Sequence, residues 1–276
     1  MNLRTDIPQI FHPIDFKEPE TDLLVSSNPS KWTEFIAHVS QFTESSIDDT
    51  QNLLNELMLQ VDSDSNKAVL LTGIGRCQIH NGDLIKGAQT LGYALSHAKD
   101  TDRESQAFVM IEMASFLAIT GQYNLAQILL DKVNHLSQNE YILRLANYYS
   151  LVVRNRMGDT DTVDSLIESV TYFQSIGEWA TVAYHFKNLG NSERKSNNYK
   201  AASRYYSSAL EIARSHSYEH IEAAILNDVG LLSYHTGDSD SAIQTFKTAL
   251  EITDSVYTHC FILGSAGLVC KQSDQH

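Results

Sequence analysis

Proline is missing from most of this chain. All four prolines, Pro8, Pro13, Pro19 and Pro29, fall within the first 29 residues, and the remaining 247 of the 276 have none. Proline inside a helix removes a donor and clashes with the preceding turn, so everything after Pro29 is free to be helical. Residues 1–29 read instead as an extended arm. Its apolar residues Ile7, Ile10, Phe11, Ile14 and Phe16 suggest that part of it packs, most simply on the helices that follow. Cysteine is scarce. Cys77, Cys260 and Cys270 make no paired framework and no CxxC, which reads as free thiols in a reducing cytoplasm. Basic residues are few: 20 Lys and Arg against 34 Asp and Glu, a net charge of -14. Binding of nucleic acid needs a basic footprint, so no such partner is expected. Long apolar runs are absent as well. The run Phe261 to Cys270 has ten residues with its glycines and serine counted, against roughly 20 for a membrane-spanning helix. Met1 to Ile10 lacks the apolar core of a secretion signal. The expectation is an acidic, soluble, cytoplasmic chain with no membrane partner.

Catalytic motifs are missing too. There is no GxxxxGK[ST], HExxH, GxSxG or GxGxxG. Gly73 and Gly75 in TGIGRC are a fragment of a phosphate loop, and helix packing explains them better. His216 and His220 are four apart, as metal ligands on a helix sometimes are, but no third ligand stands nearby. Cys260 and Cys270 lie too far apart along a helix to share a metal. The chain is therefore expected to be no enzyme and to carry no cofactor and no metal.

What is present is a repeat. FKNLGNSERKSNNYKAASRYYSSALEIARSH from Phe186 aligns with LNDVGLLSYHTGDSDSAIQTFKTALEI from Leu226 at a constant offset of 40. Gly190 falls on Gly230, Asn197 on Gly237, Ala202 on Ala242, Tyr206 on Phe246 and Ala209 on Ala249. Earlier copies keep the same turn position, so that Gly82, Gly121, Gly158, Asn197 and Gly237 are spaced by 39, 37, 39 and 40 residues. Each copy reads as a helix, a left-handed turn residue that ends it, and a second helix. Small Ala126, Ala202 and Ala242 allow close approach. Leu91, Leu130, Ile167, Tyr206 and Phe246 fill the gap to a neighbour. One helix pair cannot bury both its apolar faces, and stacked pairs can.

These residues resemble the tetratricopeptide repeat (TPR) family. Its pattern is matched at Leu189, Gly190, Asn197, Ala202, Tyr206 and Ala209, and again at Val229, Gly230, Gly237, Ala242, Phe246 and Ala249. The resemblance runs over roughly residues 65 to 271. It implies an all-α, right-handed superhelical solenoid of antiparallel helix pairs. The usual period is 34. The ~40-residue period here looks like the extended subclass of polarity adaptors that bind G-protein regulators and of bacterial peptide-sensing regulators. The extra residues should lengthen helices rather than loops. The organisation expected is an arm (1–29), a degenerate capping helix pair (30–62), five repeats (63–254), and a C-terminal capping helix and tail (255–276).

In this family the first helix of each pair lines a concave groove. Counting from Gly75, Ala114, Leu151, Gly190 and Gly230, the groove positions hold Arg76, then Phe108 and Ile111, then Tyr148, Asn155 and Arg156. They continue with Tyr184, Lys187, Asn191, Arg194 and Lys195, and end with Asn227 and Tyr234. The 25 positions so counted contain no Asp or Glu, so the groove is expected to be neutral to basic, apolar in its first two copies and polar in the rest. Lys187 and Asn191, one turn apart, resemble half of the carboxylate clamp of chaperone-binding members. The clamp's next amide would fall near Asp228. Lys187, Arg194 and Lys195 can equally be ordinary solvated charges.

The implied function is a non-catalytic scaffold that takes a peptide or partner protein in its groove, with an acidic or amide-rich ligand expected from the basic and amide side chains there. The alternative is a sensor input module in which a signalling peptide controls another domain or subunit. Leu263-Gly264 repeats Leu189-Gly190, so the segment 255–276 looks like the first helix of a sixth copy. Its apolar outer side leaves three readings: a partly buried cap, a homodimer contact, or a natural chain that continues.

Overall fold

The computed structural model describes residues 47–99, 102–159 and 163–273. The arm and the first helix of the capping pair fall on residues 1–46, outside the described residues. Twelve helices and no strand are present among those described. A single helix, α1 (Ile47–Met58), precedes five pairs: α2 (Asp64–His80) with α3 (Leu84–Ala98), α4 (Arg103–Ile119) with α5 (Tyr123–Leu136), α6 (Glu140–Arg156) with α7 (Val163–Ser175), α8 (Trp179–Lys195) with α9 (Tyr199–Ser215), and α10 (Glu219–His235) with α11 (Ser239–Ile252). A last helix, α12 (Val256–Ser273), follows. The protein is an all-α solenoid of helix pairs.

The turn chemistry explains the regularity. The five turn residues Gly82, Gly121, Gly158, Asn197 and Gly237 all have positive φ, between 60° and 102°. In each turn the next residue's N–H reaches back to the carbonyl five before it, as Asp83 does to Gln78 and Asn198 to Glu193, the bond that closes a helix C-terminus. Asp83, Asp102, Asn139 and Asp238 then cap the following helix by accepting from Lys86, Ser105, Ile142 and Ser241. Every first helix from α2 to α10 has 17 residues. The long period is thus taken up in helix length.

Close packing within a pair centres on one small residue. A Cβ on Gly230 would stand 2.6 Å from Phe246 Cε1, and one on Gly190 would overlap the Tyr206 ring. The third pair departs from the expected register. Ile167, expected to fill the gap, is exposed, and Leu166 and Val170 are buried instead. The cause is local: α7 begins five residues after Gly158, whereas α3, α5, α9 and α11 begin two residues after their turn residue. Three extra residues rotate the second helix so that Val170 takes the place assigned to Ile167.

The stack also closes on itself. The Ser255 hydroxyl donates to the His80 carbonyl at 2.9 Å. Val256 packs on Gly82, where a Cβ would lie 2.6 Å from Val256 Cγ1. The His80 ring meets Tyr257 edge-on at 6.3 Å and His220 at 5.2 Å. The first turn of α12 therefore seals the end of α2, and the concave face becomes the wall of a chamber.

Candidate functional site

The chamber has a volume of about 190 Å³ and is bounded by side chains of α2, α3, α4, α6, α8, α10 and α12. Five of the residues expected on the groove line it: Arg76, Tyr148, Arg156, Tyr184 and Lys187. The walls are largely aromatic and aliphatic, with Tyr149, Phe116, Ile79 and Ile119 among them.

Its charges are mostly matched. Arg76 lies 3.6 Å from Glu112, whose side chain is 8% exposed. Burial raises the Glu112 pKa above the ordinary carboxylate value, and the Arg76 charge offsets part of that rise. Lys187 Nζ is 3.0 Å from Asp228 Oδ2, with both side chains nearly buried. Glu112 and Asp228 each stand one residue beyond a counted groove position. The expected absence of acids is therefore corrected: the inner surface carries two, each paired with a cation counted at a groove position. Arg156 is different. It is exposed at the last turn of α6, lines the chamber, and makes no hydrogen bond or ion pair among the described residues. Its charge acts on Tyr148, Tyr257 and Lys195.

Tyr148 is fixed from two sides. Its hydroxyl accepts from Asn188 Nδ2 at 2.9 Å, and its ring stacks on His185 at 3.9 Å. His185 Nδ1 donates to the Thr181 carbonyl and Nε2 meets the Ser169 hydroxyl. Burial holds the His185 pKa down at about 4, so this imidazole stays neutral at pH 7.

The remaining expected residues lie elsewhere. Phe108 and Ile111 are 1% and 0% exposed and belong to the core between pairs, and Asn227 is likewise fully buried. These three are corrections: each sits on the side of its helix that packs against a neighbour. Asn191, Arg194, Lys195 and Asn155 form a polar ladder between first helices. Asn191 Nδ2 donates to Asp228, the Tyr206 hydroxyl donates to Asn191 Oδ1 at 2.8 Å, and Arg194 Nε donates to the Tyr206 oxygen. Lys195 Nζ donates to the carbonyl and Oδ1 of Asn155 at 2.8 and 3.1 Å. Burial, then the Arg156 and Arg194 charges, lower the Lys195 pKa. Tyr234, half-buried beside His235, does not line the chamber. The clamp resemblance at Lys187 and Asn191 thus resolves into a protein-internal arrangement, with Asp228 where a ligand carboxylate would sit. His216 stacks on Trp179 and Tyr218 while His220 meets His80, so the two histidines face different neighbours. Reading the sequence missed Glu112, Asn188 and the α12 residues Tyr257, Thr258 and Phe261. Helix periodicity flags an acid such as Glu112 amid apolar neighbours, whereas nothing local marks α12 as a wall.

Residues 153–255, from late α6 to just before α12, match the tetratricopeptide repeat family. Three solved structures are similar. NprR in complex with its cognate peptide NprX has 14% identity, covers 89% of this chain and 72% of its own, and gives a TM-score of 0.64. A Rap protein complexed with Competence and Sporulation Factor has 13% identity, 84% and 68% coverage, and a TM-score of 0.62. The apo form of the quorum sensor NprR from B. thuringiensis has 14% identity, 93% and 73% coverage, and a TM-score of 0.60. At these identities the likeness is one of fold. No curated protein sequence matches the chain. No described helix is long and apolar enough to cross a membrane.

Proposed function

We propose that this protein is a non-catalytic peptide-binding module whose ligand enters the chamber between the first helices and α12. The observation that carries the reading is the chamber itself, walled by the first helix of every pair and by α12. A space of about 190 Å³ is small beside the roughly 300–1,000 Å³ of ordinary ligand pockets. That suits one or two residues of a peptide end rather than a long extended strand. Aromatic walls take an apolar side chain, and Arg156 offers a charge to an acidic group or a terminal carboxylate. The similar structures of NprR with its cognate peptide and of a Rap protein with Competence and Sporulation Factor support a peptide ligand over a small metabolite.

A second reading, sensor input, is favoured by one specific feature. Tyr257, Thr258 and Phe261 of α12 line the same chamber that α12 closes. A ligand that fills the chamber contacts the closing helix directly, so occupancy and the seating of α12 are linked. The output would reach another domain or subunit through α12.

The test is to select binders from a random peptide library with free ends on the full chain. Their affinities are then measured by fluorescence anisotropy on the wild type and on Arg156→Glu. Selected peptides rich in Asp, Glu or C-terminal carboxylates, bound at least tenfold more weakly by the variant, support the reading. Peptides that bind both proteins equally place the site outside the chamber.

A further inference from the structure

The helix α12 has the features of a first helix whose packing notches are open among the described residues. In three pairs a glycine of the first helix receives the large side chain that stands 16 residues further on. Leu91 Cγ lies 3.0 Å from where a Gly75 Cβ would be, Tyr206 covers Gly190, and Phe246 covers Gly230. Gly264 follows Leu263 as Gly190 follows Leu189, yet nothing lies within 4 Å of its Cβ position, nor of that of Gly267. The buried residues of α12 are Thr258, Ile262 and Val269, a narrow stripe on one side. At 100° per residue, Cys260, Gly264 and Gly267 fall opposite that stripe, and Phe261 and Leu268 flank them on one side, all exposed. From Val256 to Cys270 there is no Asp, Glu, Lys or Arg, in a chain of net charge -14. An uncharged helix face with open notches and protruding Phe261 and Leu268 is built to receive another helix.

We propose that the occupant is α12 of a second copy, running antiparallel with the two-fold axis beside Gly264. An antiparallel pair centred there sets Phe261 of each copy opposite Gly267 of the other, and Cys260 opposite Leu268. Bumps and notches are thus related by the same centre, which is the self-complementarity a two-fold interface requires. The glycines allow close helix approach, as Gly190 and Gly230 do within their pairs. Charge selects the same partner surface: two bodies this acidic repel each other, and this stretch of α12 brings no carboxylate into the contact. Added salt screens the remaining repulsion, so pairing strengthens with ionic strength. Phe261 also lines the chamber, so this inference shares one residue with the proposed binding site, and its test reads oligomeric state rather than peptide binding.

The experiment uses the full chain under reducing conditions in sedimentation velocity, from low micromolar to sub-millimolar concentration. The wild type shows a concentration-dependent monomer–dimer equilibrium that tightens with salt. Gly264→Arg, at an exposed position where helicity by circular dichroism is retained, weakens the dimer at least tenfold. Register is read in a Cys270→Ser background: Leu268→Cys forms an oxidant-induced dimer through Cys260, and Leu263→Cys does so far more slowly. A wild type that is monomeric at every concentration overturns the proposal, whether residues 1–46 cover α12 or nothing does. So does a dimer that survives Gly264→Arg, or equal cross-linking from positions 263 and 268.

Discussion

Replacing Lys187 by alanine should unfold part of this protein's stability rather than merely empty a binding site. The ammonium lies 3.0 Å from Asp228 Oδ2, and the two side chains are 11% and 5% exposed. At an effective dielectric of about 20, charges that close attract by about 5–6 kcal/mol. Desolvating two ions costs several kcal/mol each, so the intact pair is close to neutral in net stability. Truncating one partner is different, because the other charge stays buried without compensation, typically at a cost of about 3–5 kcal/mol. Asp228 keeps one bond, from Asn191 Nδ2 at 3.0 Å, which places Lys187→Ala near the low end, at about 3 kcal/mol. For a chain of this size each kcal/mol moves Tm by roughly 2–4 °C, so the drop should be roughly 6–12 °C. Urea denaturation and thermal scanning measure it. The double variant Lys187→Met, Asp228→Asn removes both charges and keeps an acceptor for Asn191, and it should return to within about 1 kcal/mol of the wild type. The reasoning is refuted if Lys187→Ala is as stable as the wild type, or if the double variant is no better than the single. Weak ligand binding by a Lys187 variant would therefore report folding, and Arg156 is the better probe of the chamber.

Acid should destabilise the protein through His185. Its folded pKa of about 4 lies below the ordinary 6.5, so the unfolded chain binds a proton that the folded chain refuses. The stabilisation is complete above pH 6.5 and is lost as pH falls from 6.5 towards 4. It amounts to about 3 kcal/mol in all, and His185→Gln should flatten that slope in denaturation curves measured across the range. Gly230→Ala drives a methyl to 2.6 Å from Phe246 Cε1. Overpacking of about 1–3 kcal/mol outweighs the ~1 kcal/mol gained in helix propensity, and a urea midpoint at or above the wild type would contradict the packing. Gly264→Ala, with nothing nearby, should instead stabilise by about 0.5–1 kcal/mol. Asn197 and Ser217 hold φ of 60° and 57°, so glycine at either position should be stabilising or neutral, and alanine destabilising, by the same assay.

The sequence by itself determined whatever depends on neighbouring residues. Turn residues spaced by 37 to 40 positions, the glycine-to-aromatic spacing of Gly190 with Tyr206, and the likeness of Leu263-Gly264 to Leu189-Gly190 are all local, because a left-handed turn or a helix face is set within a few residues. The all-α solenoid of helix pairs, and the likeness to tetratricopeptide repeats that residues 153–255 carry, followed from these. Only the tertiary structure decided the rest. One residue along a helix turns the side chain by 100°, so Asp228 faces inward while the adjacent Asn227 is core, and counting positions does not settle which. Three added residues after Gly158 were enough to exchange Ile167 for Val170. Closure of α12 on His80 and Gly82 is more remote still. It sums small rotations over five pairs, and no local pattern in the chain encodes that sum.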